Sequence, residues 1–266
     1  MAQKYLVMTS GLEPHNLLDL DFLSRQLFGA DSQVDLCAYF WGMADKDHRA
    51  LNWELGNLMI EVGDPPDSFI QEVGECFTFP ETDLGRLFAM FLGRQRLRFL
   101  ASRIPKDQYE VIAFLRPDLT IPTFSFAPSA PWFQMNNPKQ IFLPRVGQYR
   151  NGVTDLMFLG GAESVEKLLD VYDDMPTLVN SRMDSTGYQC PVHQESLILA
   201  SIMSNKLEAS LCDFGDLYIR KSNRYIRITD EPRREYLSLA KELVRVNDCS
   251  KKIDMSSHVF ARERSY

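Results

Sequence analysis

The sequence predicts an α/β protein with a mostly parallel central sheet flanked by helices, in one domain spanning residues 1–266. Three observations predict it. Short, mostly apolar runs recur at Tyr5–Thr9, Val34–Phe40 and Val111–Leu115, each closed by a turn or a charged group. Runs of that length and character read as strands buried on both faces, the signature of a parallel sheet. Segments with helical periodicity lie between them, so the order is strand, helix, strand, helix.

In chain order, Tyr5–Thr9 is a strand ending in a Ser10-Gly11 turn. Leu17–Phe28 has helical periodicity, with Leu17, Leu18, Leu20, Phe22, Leu23 and Leu27 apolar. Val34–Phe40 is the second strand. His48–Val62 reads as a helix stopped by Gly63-Asp64-Pro65-Pro66, because proline cannot continue one. Cys76–Phe79 is a candidate third strand. Thr82-Asp83 can cap a long helix reaching about Ser102, and Val111–Leu115 is the next strand. Pro122–Pro138 is rich in proline, aromatics, Ser and Asn and reads as an irregular excursion, of the kind that often serves as a lid. Beyond it come a strand at Gln140–Pro144, a polar loop at Arg145–Asp155 and an apolar Leu156–Leu159 segment. Helices follow at Ala162–Tyr172 and His193–Asn205, a hairpin at Leu217–Thr229 turning at Ser222-Asn223, and a last helix at Arg233–Val246.

Composition excludes several function classes. At 45% hydrophobic and 24% charged, the chain suits one large globular domain, or a domain with a small appendage. A net charge of −7 argues against a nucleic-acid partner, although one local arginine cluster can still hold a small anion. Five cysteines without CxxC spacing read as reduced thiols, not a disulfide framework or zinc site, and point to a cytoplasmic protein. The first residues lack the pattern of a signal peptide, and no apolar stretch reaches membrane-spanning length. A homodimer through the last helix is compatible with the sequence and not demanded by it.

The chemistry-bearing residues cluster at strand ends. Val111–Leu115 runs straight into Arg116-Pro117-Asp118, which places a guanidinium and a carboxylate where open α/β sheets keep their ligands. A surface ion pair capping a core strand is the alternative. Ser10-Gly11, after the first strand, is a place for backbone N–H groups to meet a phosphate, or a plain turn. No GxGxxG or GxxxxGK[ST] is present, so dinucleotide and P-loop readings fail. Arg94, Arg96 and Arg98 read as a solvated helix face. Asp155 is a general base or an N-cap; Glu195, with His193, opens a helix and is a dipole-favoured cap or a sugar-hydroxyl contact.

Taken in order, these pieces resemble GT-A-like (Rossmann-like) glycosyltransferases of bacterial and viral surface-polysaccharide loci. The resemblance rests on Met8-Thr9-Ser10-Gly11, Phe40-Trp41, Tyr109-Glu110 through Arg116-Pro117-Asp118, Ile141-Phe142-Leu143-Pro144, Gly152-Val153-Thr154-Asp155 with Phe158-Leu159-Gly160, and His193-Gln194-Glu195. It covers about residues 5–220. It implies a nucleotide-sugar donor, a glycan or other hydroxyl acceptor, a nucleotide-binding half at 1–121 and an acceptor-side half at 122–266. Ser10, Gly11, Arg116 and Asp118 would then meet the donor, and Asp155 and Glu195 would be the catalytic carboxylates. Trp132, Arg145 and His193 would contact substrate. The family's DxD motif holds a divalent cation, Mn²⁺ or Mg²⁺, against the donor diphosphate. Here Arg116 replaces the first carboxylate, so either Asp118 and His258 hold the metal, or Arg116 itself offsets the diphosphate charge. The chain also has Leu12-Glu13-Pro14-His15 where relatives carry an arginine soon after Ser-Gly. A carboxylate-based hydrolase and a non-catalytic sugar-binding member are the other readings.

Overall fold

The computed structural model describes residues 4–12, 17–42, 53–63, 84–121, 131–147, 152–178, 194–214, 216–221 and 224–228. Strands β1 (Lys4–Leu12), β2 (Gln33–Trp41), β3 (Leu58–Gly63) and β4 (Val111–Leu115) run parallel in the order β3-β2-β1-β4. The sheet continues through β7 (Met157–Gly160), β6 (Gln140–Pro144) and β8 (Glu208–Cys212), giving seven strands. Of these only β7 is reversed: it pairs antiparallel with both β4 and β6, while β6 and β8 are parallel. A three-stranded sheet joins β5 (Leu119–Thr120) to the hairpin β9 (Tyr218–Lys221) and β10 (Arg224–Arg227).

Alternation along the strands builds two cores. Leu6 and Met8 of β1, with Cys37, Tyr39 and Trp41 of β2 and Ile112 and Phe114 of β4, face one side. There α2 (Leu84–Ala101), α3 (Ala162–Leu169), α4 (Val171–Leu178) and α5 (Gln194–Ser204) cover them. Tyr5 and Val7, with Leu36, Ala38 and Phe40, face the other side under α1 (Leu18–Phe28), whose Leu20, Leu23 and Leu27 are buried. Asp19 and Asp21 in the first turn of α1 suit the positive end of its dipole, and Arg25 pairs with Asp21 one turn on at 2.9 Å. None of the described helices is long and apolar enough to cross a membrane.

Four sequence expectations change. Leu58–Gly63 is a parallel edge strand, not the end of a helix. The buried Asp35 carboxylate accepts the backbone N–H and side-chain amide of Asn57, and the N–H groups of Val34 and Leu36 donate to Leu55 and Asn57. That ladder with β2 overrides the local helical spacing. Ser10-Gly11 lies within β1, because the strand stays paired with β2 as far as Trp41. The helix expected at Ala162–Tyr172 is two helices, meeting at Asp170. Glu208–Cys212, read as no element from sequence, is the edge strand β8. The readings at Cys76–Phe79, Thr82-Asp83, Ser222-Asn223 and Arg233–Val246 lie outside the described residues, as do residues 122–130 of the excursion.

Candidate functional site

The order β3-β2-β1-β4 begins a doubly wound sheet, whose chain direction across the sheet switches between β1 and β4. The ends of these two strands touch: a Cβ on Gly11 would stand 3.0 Å from Cγ of Pro117. Glycine at position 11 therefore lets the Arg116-Pro117-Asp118 turn close onto β1. Leu119 N–H donates to the Arg116 carbonyl within that turn, and Arg220 N–H of β9 donates to the Asp118 carbonyl at 2.7 Å.

The reversed strand completes the site. Because β7 runs backwards beside β4, the residues just before β7 meet the residue just after β4. Arg116 N–H donates to the Leu156 carbonyl at 2.9 Å. The Asp155 carboxylate lies 3.7 Å from Nη1 of Arg116. Had β7 been parallel, Asp155 would stand at the opposite edge of the sheet.

Arg94 supplies the other half of the cluster. It sits one turn beyond Phe91 on the sheet-facing stripe of α2, with its side chain wholly buried. Its Nη2 donates to the Asp155 carbonyl at 2.9 Å and to the carboxylate at 3.1 Å. The guanidinium lies over Phe114, 4.6 Å from the ring centroid, and 5.1 Å from that of Phe91. Burial pulls Arg94 down to about 10, against the opposing pull of Asp155. Sequence reading put Arg94 on a solvated face; the signal against that was its place on the Leu87-Phe91 stripe. Its neighbour Arg98 follows the same face outward and pairs with Asp170 and Asp173.

Arg116 is tied at both ends of its fork. Its Nε and Nη2 donate to the two oxygens of Asp118, at 2.9 and 2.7 Å. Burial alone would lower Arg116, yet Asp155 and Asp118 together hold it above the ordinary guanidinium range. The result is a line of alternating charge, Arg94–Asp155–Arg116–Asp118, dry at one end and open at the other. Arg94 is 0% and Asp155 1% exposed, whereas Asp118 is 31% exposed. Alternation puts Ser10 on the same face of the sheet as Arg94, and a Cβ on Gly93 would lie 3.7 Å from Cβ of Ser10. The Ser10 hydroxyl and Nε and Nη1 of Arg94 are buried without a hydrogen-bond partner among the described residues.

Glu195 opens α5 beside this line. Its carbonyl accepts the Val153 N–H at 3.1 Å, and Gly152 packs so closely that a Cβ there would overlap the Glu195 carbonyl carbon at 2.0 Å. The 152–155 segment is thus clamped to the start of α5, which keeps Asp155 in register with Arg94.

The remaining site expectations divide. Ser10, Gly11, Arg116, Asp118 and Asp155 come together at the carboxyl edge, with Glu195 beside them. Arg145 also lies at that edge, exposed at the end of β6, its N–H donating to the Cys212 carbonyl. Asp155, expected as a general base or an N-cap, is buried between the guanidiniums of Arg94 and Arg116. Trp132, expected as a substrate contact or a loop anchor, packs in the core. It is 1% exposed, stacks on Phe214 at 5.4 Å and donates Nε1 to the Leu27 carbonyl. His193 and His258 lie outside the described residues.

The divalent cation implied by the sequence resemblance would rest on Asp118 and His258, and His258 lies outside the described residues. Both Asp118 oxygens are occupied by Arg116, and a dication beside Asp118 would face that guanidinium directly. Among the described residues no group of three or more His, Cys, Asp or Glu side chains is placed to hold a metal.

No family model matches the chain, and no curated protein does. Among solved structures, the chain is similar to the crystal structure of mouse xyloside xylosyltransferase 1 in its apo form. The TM-score is 0.42 at 15% identity, over 80% of this chain and 86% of that one.

Proposed function

We propose that the chain is a glycosyltransferase that moves a sugar from a nucleotide-sugar donor to a hydroxyl acceptor. The observation that carries this reading is the meeting of Ser10-Gly11 with Arg116-Pro117-Asp118 at the switch point of the sheet. That crevice is where α/β sheets take nucleotide ligands, and the ordered motifs from Met8 to Glu195 resemble the same enzyme class. Residues 1–121 provide β1–β4 and would form the donor half, and residues 122–266 provide β6–β8 and the acceptor half.

Sugar transfer leaves a diphosphate, so negative charge grows on phosphate oxygens as the glycosidic bond breaks. Arg116, a planar fork already at the edge, suits that charge through two parallel hydrogen bonds. Arg94 and Asp155 would position Arg116 from behind. Glu195 is the carboxylate that would take the acceptor proton. The hydrolase reading needs a carboxylate pair sharing acid and base work. Of the carboxylates Asp118, Asp155 and Glu195 that it would draw on, the first two are each bound to a guanidinium.

A thermal-shift screen of nucleoside diphosphates and nucleotide sugars tests the reading, followed by product analysis with sugar acceptors. A ligand at about 100 times its Kd adds about 2.7 kcal/mol of stability. A nucleotide-selective shift, lost in Arg116→Gln, is the expected result. Folded protein that no nucleotide stabilises would refute a donor site here.

A further inference from the structure

We infer that Asp118 is a built-in competitor for the donor diphosphate: its carboxylate holds the place on Arg116 that the diphosphate takes, and binding proceeds by exchange of one anion for the other. The inference rests on the donor-site reading above, and it reverses the role that the resemblance gives Asp118.

Three observations point to it. First, Asp118 takes both Nε and Nη2 of Arg116, the same bidentate grip that a phosphate would use. Second, the pair is the open end of an otherwise buried line. The Asp118 side chain is half-buried and free on one side to leave, whereas Arg116 stays tied to Asp155, and Asp155 to Arg94. Removing the Asp118 carboxylate therefore leaves a positioned guanidinium with two donors presented at the edge. Third, the Asp118 backbone is held independently of its side chain, through its carbonyl and Arg220 N–H at 2.7 Å. The carboxylate can turn away without moving the strand.

The two roles predict opposite signs for one substitution. As a competitor, Asp118 weakens diphosphate binding, so Asp118→Asn should bind more tightly. As a metal ligand or donor contact, Asp118→Asn should bind less tightly. Isothermal titration with UDP, GDP and inorganic pyrophosphate, each in EDTA and in Mn²⁺, reads the sign directly. The expected result is that Asp118→Asn tightens at least one of these by about tenfold in EDTA, the scale of one charge-assisted hydrogen bond. Arg116→Gln should abolish binding in both backgrounds. Binding by Asp118→Asn alone, with none by the wild type, supports the inference equally. Unchanged or weaker binding by Asp118→Asn, or wild-type binding that requires Mn²⁺, overturns the inference and leaves the donor site standing. No binding by wild type or Asp118→Asn overturns both. Should Asp118→Asn fold poorly, Asp118→Ser carries the same test, because the backbone contact to Arg220 remains.

Discussion

Arg94 and Asp155 are joined twice inside the protein: one guanidinium nitrogen reaches both the carbonyl and the carboxylate of the same residue, at 2.9 and 3.1 Å, with neither side chain in water. A pair buried this way is weak evidence for net stability, because desolvating two ions costs about what their attraction returns. Its value here is geometric. It ties α2 to the start of β7 and fixes the carboxylate that stands behind Arg116.

Breaking the pair from one side should therefore be worse than removing it whole. Arg94→Met leaves Asp155 buried with Arg116 at 3.7 Å as its remaining ion pair among the described residues, and should cost about 3–5 kcal/mol. Arg94→Met with Asp155→Asn should cost clearly less than the two single changes added together. Urea unfolding of the four proteins in a double-mutant cycle measures the difference. Additive losses would mean that the two residues act separately.

Gly152 should tolerate no side chain. Its Cβ would fall 2.0 Å from the Glu195 carbonyl carbon and 2.3 Å from Ser196 N, and neither backbone atom can swing aside. Gly152→Ala should lose about 3 kcal/mol or more, at the upper end of overpacking costs. Gly147→Ala, which would press on the Thr154 hydroxyl at 2.9 Å with φ of +84°, should cost less, because a side chain can give way. Denaturant midpoints of the two variants give the ranking.

Trp132 separates anchoring from recognition. Trp132→Ala should lower stability by about 3–5 kcal/mol, the cost of emptying a buried aromatic site beside Phe214 and Phe142. A variant with wild-type melting and a raised KM for acceptor would return the residue to the substrate surface.

Stability should respond to pH through two carboxylates of opposite sign. Asp35 is buried, which alone would raise it, but the Asn57 amides, Lys4 and the Tyr109 hydroxyl outweigh burial and hold it below 3.8. Its contribution is present above the unfolded value and is lost as pH falls through the folded one. The gap in melting temperature between wild type and Asp35→Asn should close below about pH 4. Asp170 is raised from 3.8 to about 6 by burial, with Arg98 pulling down and Asp173 and Asp174 adding to the rise. What it contributes is fully present below 3.8 and lost as pH climbs through about 6, so Asp170→Asn should flatten the melting curve between those values.

Much of the frame was legible because it is written in local chemistry. Mostly apolar runs at Tyr5–Thr9, Val34–Phe40 and Val111–Leu115 have one stable home, a strand covered on both faces. The first helix, read at Leu17–Phe28, announced itself by spacing, and the long helix to about Ser102 by a candidate cap at Thr82-Asp83. The edge strands were harder. In Leu58–Gly63 the helical spacing of the preceding residues competed with β-pairing, and what decided it was Asp35, more than twenty positions away in sequence, bonding Asn57.

For the candidate site, local patterning already marks the charged and small residues near strand ends: Ser10-Gly11, Arg116 to Asp118, and Asp155 before an apolar segment. Which of them meet depends on how the strands pair and pack. The reversal of β7 between β4 and β6 brings Asp155 to Arg116, and strand direction leaves no mark in an apolar run that is buried on both faces. Burial did the same for Arg94 and Trp132. A helix stripe or a loop aromatic looks alike in sequence whether it faces water or core, and the packing of α2 and of Phe214 made both interior. Arg94 thereby became the buried end of the charge line, and Trp132 a core side chain.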